Sequence, residues 1–359
     1  MTLHGVAGHV RSAVMVMGIV LGAQAAEASL VNSFQFNGRG NWSLDAVGSD
    51  STPVGDITAI VPLGSFVEKA FLYSSTYFGA PTPSVTFDGT LYGPASFTPL
   101  GLTSACCTLQ AFRADVTTQV QGTIGGGSAL PFTFTVNSEN TSQIDGEILA
   151  IVYSNPAEVE RTIAFLDGFS LTTGDTTTFN FSSPLIDPTT PGFEAFMSLG
   201  IGFGFQASGQ FSEVDVDGRR LTSSAGGQDD GGGFNGGLVT VGGIGDSPLN
   251  PADPNVNDGG GPRTDDELYN LALGNGVNPA PFLTTGALSF QIDTLNPSND
   301  DNIFFLGLNV TARGGVNQPP PPPEDHAAVI PEPSSLLLLS LGSLGAAVFR
   351  RRRNVLSQV

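Results

Sequence analysis

Between residues 29 and 313 apolar and polar residues alternate in short runs, the period of a strand that buries one face. Phe34-Gln35-Phe36, Val85-Thr86-Phe87, Phe132-Thr133-Phe134-Thr135-Val136, Phe179-Asn180-Phe181 and Leu288-Ser289-Phe290-Gln291-Ile292 all follow it. The stretches 148–153, 163–166 and 303–308 are continuously apolar instead, as central strands covered on both faces would be. Asp88-Gly89, Asp145-Gly146, Asp167-Gly168 and Asp217-Gly218 lie beside these runs. Asp-Gly supplies the two positive φ angles of a type I′ turn, so the four pairs predict antiparallel hairpins. The pattern predicts an all-β body, an antiparallel β-sandwich.

Two stretches of the body depart from this texture. Residues 222–262 are rich in Gly, Asp and Pro, which predicts an irregular loop region. Thr264-Asp265-Asp266-Glu267 then reads as a capping box, followed by apolar Leu268, Tyr269, Leu271 and Ala272 and a stop at Gly274. That predicts one short helix over 265–273.

The ends of the chain have another character. Residues 1–28 carry Arg11, a short apolar run over 12–23 and the small-x-small sequence Ala26-Glu27-Ala28. They predict a secretory signal helix cut after Ala28, with Ala23-Gln24-Ala25 as the alternative site. Residues 314–329 form a linker whose five consecutive prolines, Pro319 to Pro323, favour polyproline II. After it come Pro331-Glu332-Pro333, an apolar run over 336–349, and Arg350, Arg351, Arg352 and Arg353. The run spans roughly 21 Å as a helix, short for a permanent anchor. Its arginines set a stop on the cytoplasmic side, which leaves everything upstream outside. Residues 354–359 are a short tail.

This three-part segment at 330–353 resembles the PEP-CTERM sorting signal of Gram-negative bacteria; similar tails are also labelled ice-binding protein C-terminal domains. The resemblance rests on Pro331, Glu332 and Pro333, the Leu-rich helix and the four terminal arginines. It implies a transient stay in the inner membrane and cutting near the Pro-Glu-Pro motif by an exosortase. It says where the chain goes and leaves the body's role open.

Charge narrows that role. The formal net charge is −20. Removal of the signal and the sorting segment takes away five arginines and two glutamates, leaving the body at about −23. Such a body repels nucleic acid and anionic lipid, whose binding needs cationic patches. The two cysteines, Cys106 and Cys107, are adjacent. They make a candidate vicinal disulfide, strained because neighbouring Cα atoms are ~3.8 Å apart; an intermolecular bridge and two buried thiols are the alternatives. Either way the fold stands on its apolar core.

The three histidines, His4, His9 and His326, all lie outside the body. A histidine-based Ser or Cys hydrolase and a His-bearing catalytic zinc site are therefore excluded there. There is no Walker A loop, dinucleotide fingerprint or Gly-x-Ser-x-Gly elbow. Lys69 sits beside Glu68 and reads as surface. Two carboxylates would suffice for glycoside hydrolysis, but spacing in sequence does not set their separation.

Calcium is the ligand the composition invites. Asp229, Asp230, Asp265, Asp266, Asp300 and Asp301 are hard oxygen donors in loop or helix-start contexts, the donors Ca2+ takes. Glu213-Val214-Asp215-Val216-Asp217-Gly218 imitates the start of an EF-hand loop, but Ser224 stands where the twelfth-position Glu belongs. A strand ending in an Asp-Gly hairpin is the plainer reading. Together these features lead to an exported, non-enzymatic protein of the cell surface or the extracellular exopolysaccharide matrix. Calcium-dependent polysaccharide binding is the alternative, and a carboxylate-dependent glycoside hydrolase stands behind it.

Overall fold

The alternating runs fold as strands, and the continuous apolar runs occupy the middle of the largest sheet. The computed structural model describes residues 29–49, 52–103, 108–139, 143–170, 172–202, 211–226, 239–256, 267–300 and 302–319. The signal and membrane helices expected at the two ends lie outside these residues. Among the described residues no helix is long and apolar enough to cross a membrane.

The large sheet runs β15 (Val239–Val241), β12 (Ala195–Gly202), β18 (Asn302–Val310), β10 (Glu160–Asp167), β1 (Val31–Gly48), β9 (Ile144–Ser154), β3 (Phe66–Thr76), β7 (Leu109–Asp115), β6 (Phe97–Thr103), and β16 (Leu268–Asn270) also pairs with β12. A five-stranded sheet runs β14 (Arg219–Ala225), β13 (Ser212–Val216), β17 (Ser289–Leu295), β11 (Asp175–Phe181), β19 (Gly314–Val316). A four-stranded sheet runs β2 (Val54–Ala59), β8 (Phe132–Ser138), β4 (Val85–Phe87), β5 (Thr90–Tyr92). Every strand pair is antiparallel.

The 18-residue β1 organises the whole. Its first half pairs with β10 and its second with β9, so it joins the two halves of the large sheet. The changeover falls at Gly38 and Gly40; a Cβ on Gly40 would stand 2.1 Å from the Tyr153 carbonyl oxygen. The two halves face each other across a core that includes Ile148, Phe165, Phe304 and Phe305. The other face of the β10–β18–β12 half packs on the five-stranded sheet through Leu166, Leu199, Phe179 and Phe290. The other face of the β9–β3–β7 half packs on the four-stranded sheet through Leu72, Ile151, Phe87 and Phe134. Four layers result. The inner two are apolar on both faces, which is why 148–153, 163–166 and 303–308 lack alternation.

The alternating side chains of β1 divide between two tasks. Phe34, Phe36, Trp42, Leu44 and Ala46 face the central core. On the opposite face, Gln35 Nε2 donates to the Gly314 carbonyl at 3.1 Å and Gln35 Oε1 accepts from Val316 N at 3.0 Å. Likewise Ser43 Oγ accepts from Ile60 N at 2.9 Å, and Asp45 Oδ2 accepts from Thr58 N. Side chains thus take the place of a neighbouring strand for the edge strands β19 and β2. β19 also adds a strand to the body past residue 313.

Two of the four Asp-Gly pairs are hairpin turns. Asp88 and Gly89 have φ of 45° and 77°, and Asp217 and Gly218 have 48° and 70°, the type I′ geometry. Asp145-Gly146 instead lies inside β9. Its glycine serves close approach, since a Cβ would meet Val239 Cγ1 and the Val47 carbonyl oxygen at 2.3 Å. Asp167 ends β10, and Gly168 packs on the backbone of Ser29.

The helix expected over 265–273 is not formed in its described part. Leu268–Asn270 is the strand β16, with Met197 paired to Tyr269. Glu267 is fully buried at φ 50° and accepts hydrogen bonds from Gly226 N at 2.7 Å and Thr240 Oγ1 at 2.9 Å. Burial of Tyr269 and Leu271, two residues apart, in the core beside β12 prevails over the capping sequence. Residues 222–225 and 239–241 of the expected loop region are likewise strands. The one α-helix among the described residues is α1, Thr117–Ile124. Its sequence, TTQVQGTI, is a poor helix former. It is held by burial of Val120 and Ile124 and by hydrogen bonds from Gln119 and Gln121 to the Phe87 and Val67 carbonyls.

Candidate functional site

Among the described residues, two open regions that combine space with polar side chains stand out. The first is a cleft of about 510 Å³ at the start of β1, lined by Ser29, Asn32, Ser33, Thr98, Arg113 and Asp167 among others. A cavity of about 570 Å³ continues it past Gln35 toward Gln318. At the inner wall Arg113 Nη1 donates to Asp167 Oδ2, and the Tyr73 hydroxyl donates to the same oxygen at 3.2 Å. Arg113 also lies 4.6 Å above the Phe71 ring. Burial pushes the Asp167 carboxyl up from its ordinary value while the Arg113 charge opposes it. Burial, and then the Asp167 charge, hold the Tyr73 phenol well above its usual value. This is a closed pair, acid and base spent on each other. Asn32 and Gln35 are engaged with β19, so the floor of the groove is structural.

The second region is the solvent face of the five-stranded sheet. Thr176 is paired with Asp293, Asp293 with Asp215, and Asp215 with Arg220, one polar row across four strands. Asp215 and Asp293 are like charges placed opposite each other, an unfavourable arrangement that the neighbours relieve. Arg220 Nε donates to Asp215 at 2.6 Å and its Nη2 to Glu213 at 2.8 Å. Thr176 and Gln291 donate to Asp293 at 2.7 and 2.8 Å. A cleft of about 290 Å³ lies over the row. Hydrogen bonding to both carboxylates raises the Arg220 pKa from its ordinary value, against the effect of burial.

Glu213-Val214-Asp215-Val216-Asp217-Gly218 is therefore β13 running into a hairpin. Its two strand acids are committed to Arg220. Lys69 lies within β3 and pairs with Asp115 at 2.8 Å.

Of the six aspartates proposed for calcium, Asp229, Asp230, Asp265, Asp266 and Asp301 lie outside the described residues, as do Cys106, Cys107, Ala28, the Pro-Glu-Pro motif and the terminal arginines. Asp300 is half-buried in a bend before β18. Among the described residues no group of three or more His, Cys, Asp or Glu side chains is placed to hold a metal ion.

One buried acid was not singled out from the sequence. Glu147 is fully buried in β9 and accepts from three hydroxyls: Ser49, Ser138 at 2.7 Å and Ser74 at 3.4 Å. Desolvation raises its pKa from 4.5 to about 7, against the pull of those hydroxyls. Its only hint was an acid at the edge of an apolar run.

Solved structures with some likeness to this chain include a complex described as BuGH86wt with neoagarooctaose. It has a TM-score of 0.21 and 12% identity, over 82% of this chain and 35% of that one. The mavirus major capsid protein gives a TM-score of 0.14 and 10% identity, over 87% of this chain and 94% of that one. Scores of this size carry no argument about fold or activity. No curated protein matches the chain. Residues 329–353 match the PEP-CTERM protein-sorting motif, and this marks the chain as an exported protein sorted through an exosortase-type enzyme.

Proposed function

We propose that the chain is a non-enzymatic protein of the cell surface or extracellular matrix, released from a membrane intermediate when its tail is cut near Pro331-Glu332-Pro333. The sorting motif at 329–353 carries the export and processing part of this reading. The body adds support. Its Arg113–Asp167 pair is closed on itself, and the acids facing solvent on β13 and β17 are engaged by Arg220, Thr176 and Gln291. A strongly acidic body suits solubility outside the cell. Intact-mass analysis of the exported protein is the test. The mature chain is expected to lack both the signal and the sorting segment. Replacing Pro331, Glu332 and Pro333 with alanine is expected to leave a longer, membrane-retained form. A complete tail on the wild-type exported protein would overturn the proposal.

A further inference from the structure

We propose that Asp145, Ser75 and Asn302 contribute to a calcium site buried at one end of the central core, away from the aspartates that the sequence singles out in loops. Gly202, the last residue of β12, leaves the space for it. A Cβ there would lie 3.0 Å from Ser75 Oγ and 3.2 Å from Asp145 Oδ2. Asn302 is the register partner of Gly202 on β18. Directly paired residues of an antiparallel ladder project on the same face with Cβ atoms ~4.5–5.5 Å apart. The Asn302 side chain therefore enters the space beside Asp145 and Ser75.

The amide is oriented by a second bond. Asn302 Nδ2 donates to the Ser170 carbonyl at 2.7 Å, which turns Oδ1 away from that oxygen. Oδ1 is buried and accepts no hydrogen bond. Ser75 Oγ donates to Asp145 Oδ2 at 3.3 Å. All three residues are fully buried. A carboxylate, an amide oxygen and a hydroxyl oxygen are the hard donors calcium takes, in a flexible set of six to eight. Waters and main-chain carbonyls would complete the set. A water molecule could satisfy Asn302 Oδ1; a cation would do so and also interact with the buried carboxylate beside it. Magnesium sheds its water reluctantly and fits such a cage less well.

The test uses the full chain purified in detergent, with calcium, magnesium or ionic-strength-matched sodium added after chelation. Calcium is expected to raise the melting temperature by roughly 5 °C at ~100 times its dissociation constant, with magnesium and sodium close to each other and lower. Elemental analysis is expected to find retained calcium. Asp145→Asn is expected to melt higher than wild type in chelator and to lose the calcium response. Asn302→Asp places a second carboxylate in the cage. It is expected to melt lower in chelator and to show a larger calcium shift. Should Asp145→Asn fail to fold, the Asn302→Asp comparison decides alone. A calcium shift unchanged in either variant would overturn the site, and so would a wild-type chain with neither shift nor retained metal, the result of a buried water only.

Discussion

On one side of the inner layers, the four-stranded sheet is closed by α1, whose backbone satisfies its own hydrogen bonds. On the other side, the five-stranded sheet is closed by chain at 242–256 and 271–288 that has no regular structure. There asparagine side chains do the pairing. Asn250 Nδ2 donates to the Asn270 and Gly274 carbonyls at 2.9 and 3.0 Å, and Asn250 Oδ1 accepts from Asn270 N at 3.0 Å. Asn275 Nδ2 donates to the Arg220 carbonyl at 2.9 Å while Oδ1 accepts from Asn278 N at 2.7 Å. Both sandwiches otherwise share a plan. Each has one Asp-Gly hairpin and one stacked phenylalanine pair: Phe87 on Phe134 at 5.2 Å, and Phe179 on Phe290 at 5.1 Å. Each is also stapled at an edge by side chains of β1. The same task of burying one face of an outer sheet is thus met by a helix in one place and by amide-laced loops in the other.

The shared plan can be broken at the phenylalanine pairs. Phe134→Ala and Phe290→Ala each remove a fully buried ring and are expected to cost about 3–5 kcal/mol. Because β1 belongs to both halves of the large sheet, each variant is expected to lower a single denaturant transition of the whole body. A biphasic curve in which Phe134→Ala shifts only one phase would show that the sandwiches unfold separately.

A second contrast lies in how charge is buried. In the half carrying the five-stranded sheet, Arg161 meets Glu194 at 2.9 Å and Asn309 at 3.0 Å. In the other half the side-chain partners of Glu147 among the described residues are three hydroxyls. With a folded pKa of about 7 against 4.5 for the free group, Glu147 favours folding fully below pH 4.5. That contribution is lost as pH rises through about 7. The loss amounts to about 3 kcal/mol. Unfolding free energies from denaturant curves at pH 5 and pH 8 are expected to differ by about 2.5 kcal/mol in wild type and to converge in Glu147→Gln. An unchanged pH dependence in that variant would place the titration elsewhere.

Strand positions were largely legible because burial follows the pleat, and alternation records it. Phe134, Phe179 and Phe290 point inward from runs that show period two, and the inner strands show none. Turns were half legible. Asp-Gly marks a hairpin at 88–89 and 217–218, but the same dipeptide at 145–146 answers to a neighbouring Val239 that is distant in sequence. The α1 segment was missed because Thr117, Thr118, Val120 and Ile124 carry weak helix propensity, and packing against the sheet forms it. The capping box at 264–267 misled for the opposite reason: a sound local signal gave way to a tertiary demand for Tyr269 in the core. The environments of Glu147 and Asn302 were invisible, since their partners lie on other strands.

The smallest expected effect bears most directly on the two closures. Asn275 is 7% exposed and serves main-chain groups on both ends of its amide. Truncation to alanine leaves the half-buried Arg220 carbonyl and Asn278 N without that partner, at a cost of about 1–2 kcal/mol. Gln119, half-buried on α1, donates to the Phe87 carbonyl at 2.6 Å and accepts from the Tyr92 hydroxyl at 2.9 Å. Its truncation leaves the helix backbone paired, so Gln119→Ala is expected to cost about 1 kcal/mol or less. Native-state hydrogen exchange gives a second reading. Amides at 275–278 are expected to lose protection in Asn275→Ala, while amides within α1 keep theirs in Gln119→Ala. If both variants lose equal stability and both segments open, α1 depends on its side-chain bonds as much as the loops do, and the contrast between the two closures fails.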